Sequence, residues 1–560
     1  MLIEEVHQQY VEEEFDENGV IKRFELHLPE SFNYAYDIID KLAEIEPDRR
    51  GLLWCNEHGD ERALSYGELS RLSNRTANML LALGIKKGDK VMTVLKRHWQ
   101  MWVVIFALEK IGAILVPATN QLKKKDYVYR FNAGDIHAVI ATCEGDVCEN
   151  IELAAKECDI TLMLCANGYR DGWISFDREM EKHPNIMERI PNSVDDDSLM
   201  FFSSGTTAYP KMIMHSHRYG MSHLPTAKHW QNLNKDSLHL TISESGWGKF
   251  FWGKVYGQMA LGCTIMSYDF TRFVPSDILR VIEKYKVTSL CCPPTMYRFF
   301  IKEGMEGYDI SSLQYATTAG EALNAEVYNR FKEYTGLSLM EGFGQTESVL
   351  LIGNPVGSES RSGSMGRAMP MFDVIVADTE GNEVPTGVTG EICIKLRPGV
   401  NNGILKYYYK NDEENERAFA YGLYHTGDTA YKDEDGYFWY VGRIDDIIKS
   451  SGYRVGPFEI ESILMEHPAV LEVAVTAVPD PIRGQIVKAT VVLTAGYRDS
   501  SGDMLDELKK ELQEYVKTNT APYKYPRIVE FVPELPKTIS GKIRRAEIRE
   551  TDRALQEAGK

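Results

Sequence analysis

The sequence predicts an α/β fold with a large N-terminal domain of mainly parallel sheets and a small α+β C-terminal domain. From residue 65 onward, strands of buried type alternate with amphipathic helices, which is typical of parallel sheets covered by helices. After residue 456 the pattern changes to strands at 473–478 and 487–493 and one long amphipathic helix at 503–516. The length of 560 residues leaves room for both domains.

The first well-marked element is a helix that begins after Ser65 and ends at Gly84. Ser65 and Glu68 have the spacing of a capping box, and apolar residues recur at helical spacing as far as Leu83. Strands are predicted at 91–95, 114–117, 138–142 and 291–294, and a second helix is predicted at 100–111. The basic run at 123–125 is interpreted as a solvated loop.

Composition and charge exclude several classes of function. Apolar content of 43% and charged content of 26% are typical of a globular protein, and the net charge of −19 argues against a nucleic-acid partner. Nine cysteines without C-x-x-C spacing indicate reduced thiols rather than disulfides or a zinc site. The first residues lack the features of a secretory leader, and the most apolar stretch, 101–116, is too short to span a bilayer. We therefore expect a cytoplasmic protein without a membrane span, and a homodimer is a possible assembly.

The segment 202–211, Phe-Ser-Ser-Gly-Thr-Thr-Ala-Tyr-Pro-Lys, has the composition of a polyphosphate-binding loop. Small residues let backbone N–H groups surround phosphate oxygens, hydroxyls add donors and a lysine adds charge. The spacing differs from G-x-x-x-x-G-K-[ST], so the usual nucleotide loop is not predicted. An ordinary loop between two strands is the alternative.

Five further segments carry candidate chemistry. From the residues alone, the Trp- and Phe-rich run at 243–253 favours core packing, and the basic run at 535–545 favours a solvated terminus. The segment 316–323 fits a plain strand-to-helix turn as well as it fits a binding segment. The segments 341–347 and 424–428 end in Glu347 and Asp428, carboxylates suited to a hard cation and to a pair of ribose hydroxyls.

Together with 440–449, these segments resemble, in order, the motifs of the adenylate-forming superfamily. The resemblance covers roughly residues 200–545 and is strongest to the acyl-CoA synthetase branch, most of all to medium-chain acyl-CoA synthetases. One departure is Ala208, which stands where the family most often has Gly. The resemblance implies domains at 1–444 and 445–560, a distorted β-barrel subdomain within the first and mobility of the second.

The resemblance also implies roles for particular residues. Lys542, Thr346 and Glu347 are the expected catalytic residues, and Glu347 is the expected magnesium ligand. Trp247 and Gly344 are expected in the acyl pocket, where Gly344 disfavours acetate as the substrate. Asp445 is the expected hinge, and Gly452, Tyr453 and Arg454 are expected in the coenzyme A tunnel. The expected ATP- and AMP-binding residues are Ser203, Ser204, Gly205, Thr206, Thr207, Lys211, Gly320, Glu321, Ala322, Glu341, Gly342, Phe343, Thr346, Asp428 and Arg443.

The function implied is that of an AMP-forming acyl-CoA synthetase that uses ATP, Mg²⁺ and coenzyme A. It would convert a medium-chain or branched short- to medium-chain fatty acid into its acyl-adenylate and then into acyl-CoA. Four alternatives remain: an aryl-acid ligase of the benzoate type, a stand-alone adenylation enzyme, a luciferase-like oxygenase and a non-catalytic nucleotide-binding protein. A stand-alone adenylation enzyme would share every nucleotide motif, whereas the intact Lys542, Glu347 and Asp428 argue against a non-catalytic protein.

Overall fold

The protein is described here by a computed structural model that covers residues 2–203, 209–397, 402–450, 453–498, 501–537 and 542–558. The predicted fold class is confirmed: a large part built on mainly parallel sheets covered by helices is followed by a small α+β part. No helix within those ranges is both long and apolar enough to cross a membrane.

The chain up to residue 180 supplies most of the first parallel sheet. The strands are β1 (Val11–Phe15), β2 (Ile21–Leu26), β3 (Arg50–Asn56), β4 (Glu61–Ser65), β5 (Lys90–Val94), β6 (Ile114–Pro117), β7 (Ala138–Thr142), β8 (Leu162–Ala166) and β9 (Ile174–Ser175). The helices are α1 (Glu5–Gln8), α2 (Lys41–Ile45), α3 (Tyr66–Ala82), α4 (Gln100–Ile111), α5 (Lys124–Gly134), α6 (Val147–Ala155) and α7 (Phe176–Met180). The predicted capping box of Ser65 and Glu68 is present at the start of α3.

The next segment adds two strands to the first sheet and supplies most strands of the second. The strands are β10 (Asp197–Ser203), β11 (Lys211–Ser216), β12 (Leu238–Thr241), β13 (Thr264–Asp269), β14 (Ser289–Cys292), β15 (Tyr315–Ala319), β16 (Leu339–Gly344), β17 (Leu350–Gly353) and β18 (Arg367–Ala368). The helices are α8 (Arg218–Ser222), α9 (Gly248–Lys254), α10 (Tyr256–Ala260), α11 (Pro275–Tyr285), α12 (Pro294–Glu303) and α13 (Ala325–Thr335). The predicted strand at 291–294 ends at Cys292, since Pro294 starts α12.

A four-stranded antiparallel sheet stands where the resemblance implies a β-barrel subdomain. It is ordered β19–β20–β22–β23, and β21 instead joins the edge of the first sheet. The elements of this segment are β19 (Val374–Ala377), β20 (Gly390–Lys395), β21 (Tyr407–Tyr408), α14 (Asp412–Ala418), β22 (Leu423–Lys432) and β23 (Phe438–Arg443).

The last segment forms a separate small sheet with three helices. Its elements are β24 (Ile448–Ser450), β25 (Tyr453–Val455), α15 (Pro457–Met465), β26 (Val470–Asp480), β27 (Gly484–Leu493), α16 (Asp503–Asn519), β28 (Ile528–Phe531) and α17 (Arg545–Ala558). These elements enclose an apolar core of their own, in which Leu508, Leu512 and Val516 of α16 are buried. The division at residue 445 stays a prediction.

The topology brings the singled-out segments to one edge of the second sheet. This sheet runs β18–β17–β16–β15–β14–β12–β13–β3–β4, and β12, β14, β15 and β16 are parallel. The segments 243–247, 320–322 and 345–347 follow the carboxyl ends of β12, β15 and β16. In open parallel sheets, ligands bind at this edge.

One sequence interpretation was wrong. The basic run at 123–125 is largely exposed as predicted, but it is not a loop, because Lys124 is the first residue of α5. Lys123 and Lys124 form ion pairs with Asp146 and Glu157. The acidic partners lie 23 and 33 residues further along the chain, so local composition could not reveal them.

Candidate active site

The centre of the site is the buried carboxylate of Asp428, on β22. Its Oδ1 accepts a hydrogen bond from the Tyr440 hydroxyl at 3.0 Å, and its Oδ2 accepts from Gln345 Nε2 at 2.5 Å. Arg443 Nη1, from the neighbouring strand β23, lies 3.1 Å from the same Oδ2 and forms an ion pair with it. Strands β22 and β23 and the turn after β16 therefore converge on one carboxylate.

The small domain reaches the same carboxylate electrostatically. Burial raises the pKa of Asp428, whereas Arg443 and, more weakly, Lys542 act in the opposite direction. Lys542 lies between Lys537 and α17, where Lys537 and Ile543 form an isolated antiparallel bridge. A lysine some 110 residues away in the sequence is thus close enough to Asp428 to favour its charged form.

Glu347 is a second inward-facing carboxylate. Its Oε1 accepts a hydrogen bond from the Tyr408 hydroxyl at 3.2 Å, and its backbone carbonyl accepts from Leu405 N–H at 2.6 Å. Burial raises the pKa of Glu347, and the nearby cations of Arg443 and Lys211 oppose that effect. Because a desolvated carboxylate oxygen is the donor that Mg²⁺ prefers, the chemistry of this side chain fits a magnesium ion.

Thr346 is positioned by a buried histidine from the first sheet. His215 Nε2, on β11, lies 2.8 Å from the Thr346 carbonyl oxygen. Burial lowers the pKa of His215 to about 4, so the ring is neutral at physiological pH and Nε2–H donates to that carbonyl. This bond joins β11, next to the phosphate-loop segment, to the turn that holds Glu347.

The phosphate-loop segment connects two antiparallel strands. Ser203 at the end of β10 pairs with Lys211 at the start of β11. The predicted phosphate ligands Ser204, Gly205, Thr206 and Thr207, together with Ala208, lie outside the described residues. Lys211 Nζ pairs with Glu414 Oε1 on α14 at 2.5 Å, so its charge is already partly neutralised.

The segment predicted to bind adenine contains a tight turn, which is supported by a buried acid on β16. Gly320, directly after β15, has φ +103°, a conformation that favours glycine. Glu321 accepts a hydrogen bond from Thr295 Oγ1 at 2.6 Å, which holds the turn preceding Ala322. Glu341 Oε1 accepts from Leu323 N–H at 3.0 Å. Burial raises the pKa of Glu341 to about 8, so this side chain supports the turn as a neutral acid at pH 7.

Two glycines of β16 sit where backbone and rings approach closely. A Cβ on Gly342 would lie 2.6 Å from Leu350 Cδ1 and 2.8 Å from the Trp230 ring, and one on Gly344 would lie 2.7 Å from the Val349 carbonyl oxygen. Phe343, between them, packs against the main core. The close approach of the Val349 carbonyl oxygen explains why residue 344 is a glycine without reference to the size of the substrate.

The predicted acyl-pocket residue Trp247 is half-buried and directly precedes α9. A Cβ on the next residue, Gly248, would lie 3.6 Å from Thr346, so the start of α9 faces the catalytic turn. Lys249 Nζ, one residue further, donates to the Ala319 carbonyl at the end of β15 at 2.8 Å. The Trp-rich run therefore lies between the two predicted site segments of the second sheet.

The predicted hinge and tunnel residues lie at the start of the small domain. Asp445 is exposed in a short 3₁₀ turn at Ile444–Asp446, and Asp446 forms an ion pair with Arg549 of α17 at 2.5 Å. The ring of Tyr453 stacks on that of Tyr523, with centroids 4.1 Å apart. Gly452 and the side chain of Arg454 lie outside the described part of the chain.

Sequence reasoning missed three residues that the geometry places in the site: Gln345, Tyr440 and Lys249. Gln345 is held on both sides, since its Nε2 also donates to the Thr426 carbonyl and its Oε1 accepts from the Tyr424 hydroxyl. All three lie inside segments that the sequence analysis had singled out. A signal was therefore present, but only the tertiary contacts identify their partners.

Comparisons with known proteins agree with this arrangement. A model of the family "AMP-binding enzyme" matches residues 39–408, and a model of "AMP-binding enzyme C-terminal domain" matches residues 459–542. The chain is 38% identical over 540 residues to "Acyl-coenzyme A synthetase ACSM3, mitochondrial" of Pongo abelii, covering 94% of this chain and 91% of that one. It is 39% identical to the ACSM5 enzyme of Homo sapiens, with coverages of 93% and 91%.

Among solved structures, an anthranilate CoA ligase, AuaEII, in complex with anthranoyl-AMP superimposes with a TM-score of 0.86 at 27% identity. The match covers 95% of this chain and 99% of the ligase. The two sequence relatives correct one expectation: both are named as mitochondrial, which overturns the predicted cytoplasmic location. That expectation rested on the lack of a secretory leader, and organelle-directing segments have a different, amphipathic and Arg-rich composition.

Proposed function

The chain belongs to the AMP-binding enzyme family and is an ATP-dependent acyl-CoA synthetase, and we propose which residues perform each step and which acids it accepts. A carboxylic acid, ATP and coenzyme A are converted to acyl-CoA, AMP and pyrophosphate through an acyl-adenylate. The observation that carries the assignment of residues is the convergence of Gln345, Tyr440 and Arg443 on the buried carboxylate of Asp428.

In the first step the substrate carboxylate attacks the α-phosphate of ATP, and pyrophosphate leaves. The acid needs no general base, because a carboxyl group with a pKa of about 4 to 5 is ionised at pH 7. We assign Lys542 to the contact with the carboxylate and the α-phosphate, where a positive charge stabilises the negative charge that develops. Thr346 orients the α-phosphate.

The nucleotide is held by the convergent hydrogen bonds around Asp428. Its carboxylate accepts the ribose hydroxyls, and Arg443, in ion-pair contact with Asp428, binds ribose or phosphate. Glu347 would hold the magnesium ion, which neutralises charge on the phosphates when bound. The turn at 320–322, supported by Glu341, would pack against adenine.

In the second step the thiol of coenzyme A attacks the adenylate carbonyl, and AMP leaves. Lys542 occupies the space that the thiol needs, so the small domain must turn about Asp445 between the two steps. Asp445 suits a pivot because it is exposed and lies in a short turn between β23 and β24. Rotation would bring Gly452, Tyr453 and Arg454 towards the site as the wall of the tunnel for coenzyme A.

We propose medium-chain or branched short- to medium-chain fatty acids as substrates, with Trp247 in the wall of the acyl pocket. Support comes from the resemblance to the acyl-CoA synthetases named above, at 38–39% identity. An aryl acid is the second candidate, since the anthranilate CoA ligase has a TM-score of 0.86, although its identity is only 27%. The homodimer stays a prediction.

The test is ATP–pyrophosphate exchange across a panel of acids from acetate through octanoate, with branched short acids and benzoate, in the presence and absence of coenzyme A. Exchange that peaks with butyrate to octanoate and yields thioester on addition of coenzyme A is the expected result. A maximum with benzoate would favour the aryl-acid function. Exchange without thioester would identify a stand-alone adenylation enzyme instead.

A further inference from the structure

Three side chains of types that can bind a metal ion lie close together on the antiparallel sheet, next to the segment that carries Asp428. Glu391 and Cys393 lie two residues apart on β20, so both face the same side of the sheet. His425 on β22 is the cross-strand partner of Cys393. A carboxylate oxygen, the thiol sulfur and an imidazole nitrogen of these three residues all lie within 4.8 Å of one another.

Two of the three distances between the ligand atoms are close to those of a tetrahedral cation site. His425 Nδ1 lies 2.9 Å from Glu391 Oε2 and 3.5 Å from Cys393 Sγ. In a tetrahedral zinc site, the usual bond lengths place nitrogen and oxygen about 3.3 Å apart and nitrogen and sulfur about 3.6 Å apart. The nitrogen–oxygen pair would therefore need to open by only a few tenths of an ångström.

We propose that Glu391, Cys393 and His425 form a binding site for a divalent cation of the zinc type, with a fourth position open to water. The ligand set combines thiolate, imidazole and carboxylate, which suits Zn²⁺ rather than the hard Mg²⁺. Cys393 is fully buried, and the side chains of Glu391 and His425 keep 14% and 10% of their surface exposed. Binding would release the thiol proton to solvent, and the proton of the Nδ1–Oε2 hydrogen bond would move to Nε2 of the neutral ring, so that Nδ1 could donate its lone pair.

The site adjoins the segment that carries Asp428. Glu391 Oε1 accepts a hydrogen bond from Gly427 N–H at 2.8 Å, while the other oxygen, Oε2, faces His425. Gly427 has φ +72° and lies in a bulge of β22, opposite an irregularity between Glu391 and Cys393. A cation on Oε2 would leave the Gly427 bond intact and would hold both sides of the bulge that precedes Asp428.

The cysteine spacing examined in the sequence could not indicate this site. C-x-x-C spacing places two thiols close together along the chain, whereas here a single cysteine combines with an acid two residues earlier and a histidine on the neighbouring strand. Only strand register brings the ligands together.

The test is titration of the full chain, freed of metal, with Co²⁺, whose complexes with thiolates absorb by charge transfer from sulfur. We expect one Co²⁺ per chain with this absorption and with the visible bands of tetrahedral cobalt. Zn²⁺ should displace the ion, and an excess of Mg²⁺ should not. The same absorption should disappear in Cys393→Ser and in His425→Gln.

Two further variants separate the ligands from general effects on folding. Glu391→Gln removes the anionic ligand but keeps an oxygen that can accept from Gly427 N–H, so we expect Co²⁺ affinity at least about tenfold weaker, or 1.4 kcal/mol, with exchange activity retained. Cys143→Ser is the matched control, because the Cys143 thiol lies beside Cys148 and Cys165, the competing thiol cluster. Loss of the absorption in Cys143→Ser but not in Cys393→Ser would overturn the proposal, and so would binding without any charge transfer. Either result would leave Glu391 and His425 as a hydrogen-bonded pair.

Discussion

Two parts of the candidate active site are built in opposite ways. The Asp428 centre is joined to Gln345, Tyr440 and Arg443 by direct hydrogen bonds from neighbouring strands of the large part. Lys542 approaches from the small domain, which contacts the large part through separate groups. These contacts include the hydrogen bond from Asn324 Nδ2 to the Ser462 carbonyl at 3.2 Å and the packing of Phe458 against Tyr440.

This difference in construction assigns nucleotide binding to the Asp428 centre and the chemical step to Lys542. A centre held by its own hydrogen bonds is preorganised for the nucleotide in every position of the small domain. A lysine carried by the small domain is present only while that domain is docked, which lets one pocket serve two successive steps. Substitutions in the two parts should therefore affect different measured quantities.

The largest effect is expected from Lys542→Ala. Removal of a charge directed at the transition state costs about 3–4 kcal/mol, so adenylate formation should fall about 100- to 1000-fold. ATP binding should change little, because the Asp428 centre stays intact. Pyrophosphate exchange and equilibrium ATP binding measure the two quantities. Lys537→Ala, which removes a nearby lysine that pairs with Glu472, is the control. A loss below tenfold in Lys542→Ala would exclude this role.

Asp428→Asn tests the preorganised part. It removes a charged acceptor and leaves the Arg443 guanidinium without its partner, and hydrogen bonds to charged groups contribute about 1.5–3 kcal/mol. We expect ATP and AMP affinity to fall about 10- to 150-fold, with a smaller change in kcat at saturating ATP. Isothermal titration and steady-state kinetics measure these. Asp435→Asn, an exposed acid at the neighbouring hairpin turn, should leave both unchanged. Equal ATP and AMP affinities of the Asp428→Asn variant and wild type would contradict the assignment of Asp428 to the ribose hydroxyls.

Asp445→Pro tests the mobile part without touching the nucleotide centre. Proline fixes φ near −65°, so a pivot that needs a different φ in one of its two states would be blocked. Thioester formation should fall at least about tenfold, which corresponds to 1.4 kcal/mol, while adenylate formation continues. Single-turnover assays of each half-reaction measure the two rates. Asp445→Ala keeps the backbone free and should behave as wild type. Equal loss of both half-reactions in the proline variant would count against the hinge.

Local sequence predicted most of the fold but not the partners within the site. The helix after Ser65 and the strand at 114–117 follow from capping and from apolar patterns that act over a few residues. The loop predicted at 123–125 is instead the start of α5. The pairing of Gln345 with Asp428, 83 residues apart, became visible only in the tertiary structure, because local patterns do not show partners that are distant in sequence. Motif resemblance identified segments, and strand order decides which side chains meet.

The smallest effect on activity is expected from Glu341→Gln, which tests the rigid part through its stability alone. Burial raises the pKa of Glu341 from 4.5 to about 8, so between these values the folded protein holds a proton that the unfolded chain has lost. The stability from this group is complete below pH 4.5 and declines as the pH rises towards 8. Glutamine has the shape of the protonated acid and can accept from Leu323 N–H through its amide oxygen. Between pH 5 and pH 8 the free energy of unfolding of the variant, measured with urea, should therefore fall by about 3 kcal/mol less than that of wild type. Parallel pH profiles for the two proteins would mean that Glu341 is ionised in the folded state. The turn at 320–322 would then be held by a charge, and the nucleotide centre would be less rigid than its hydrogen bonds indicate.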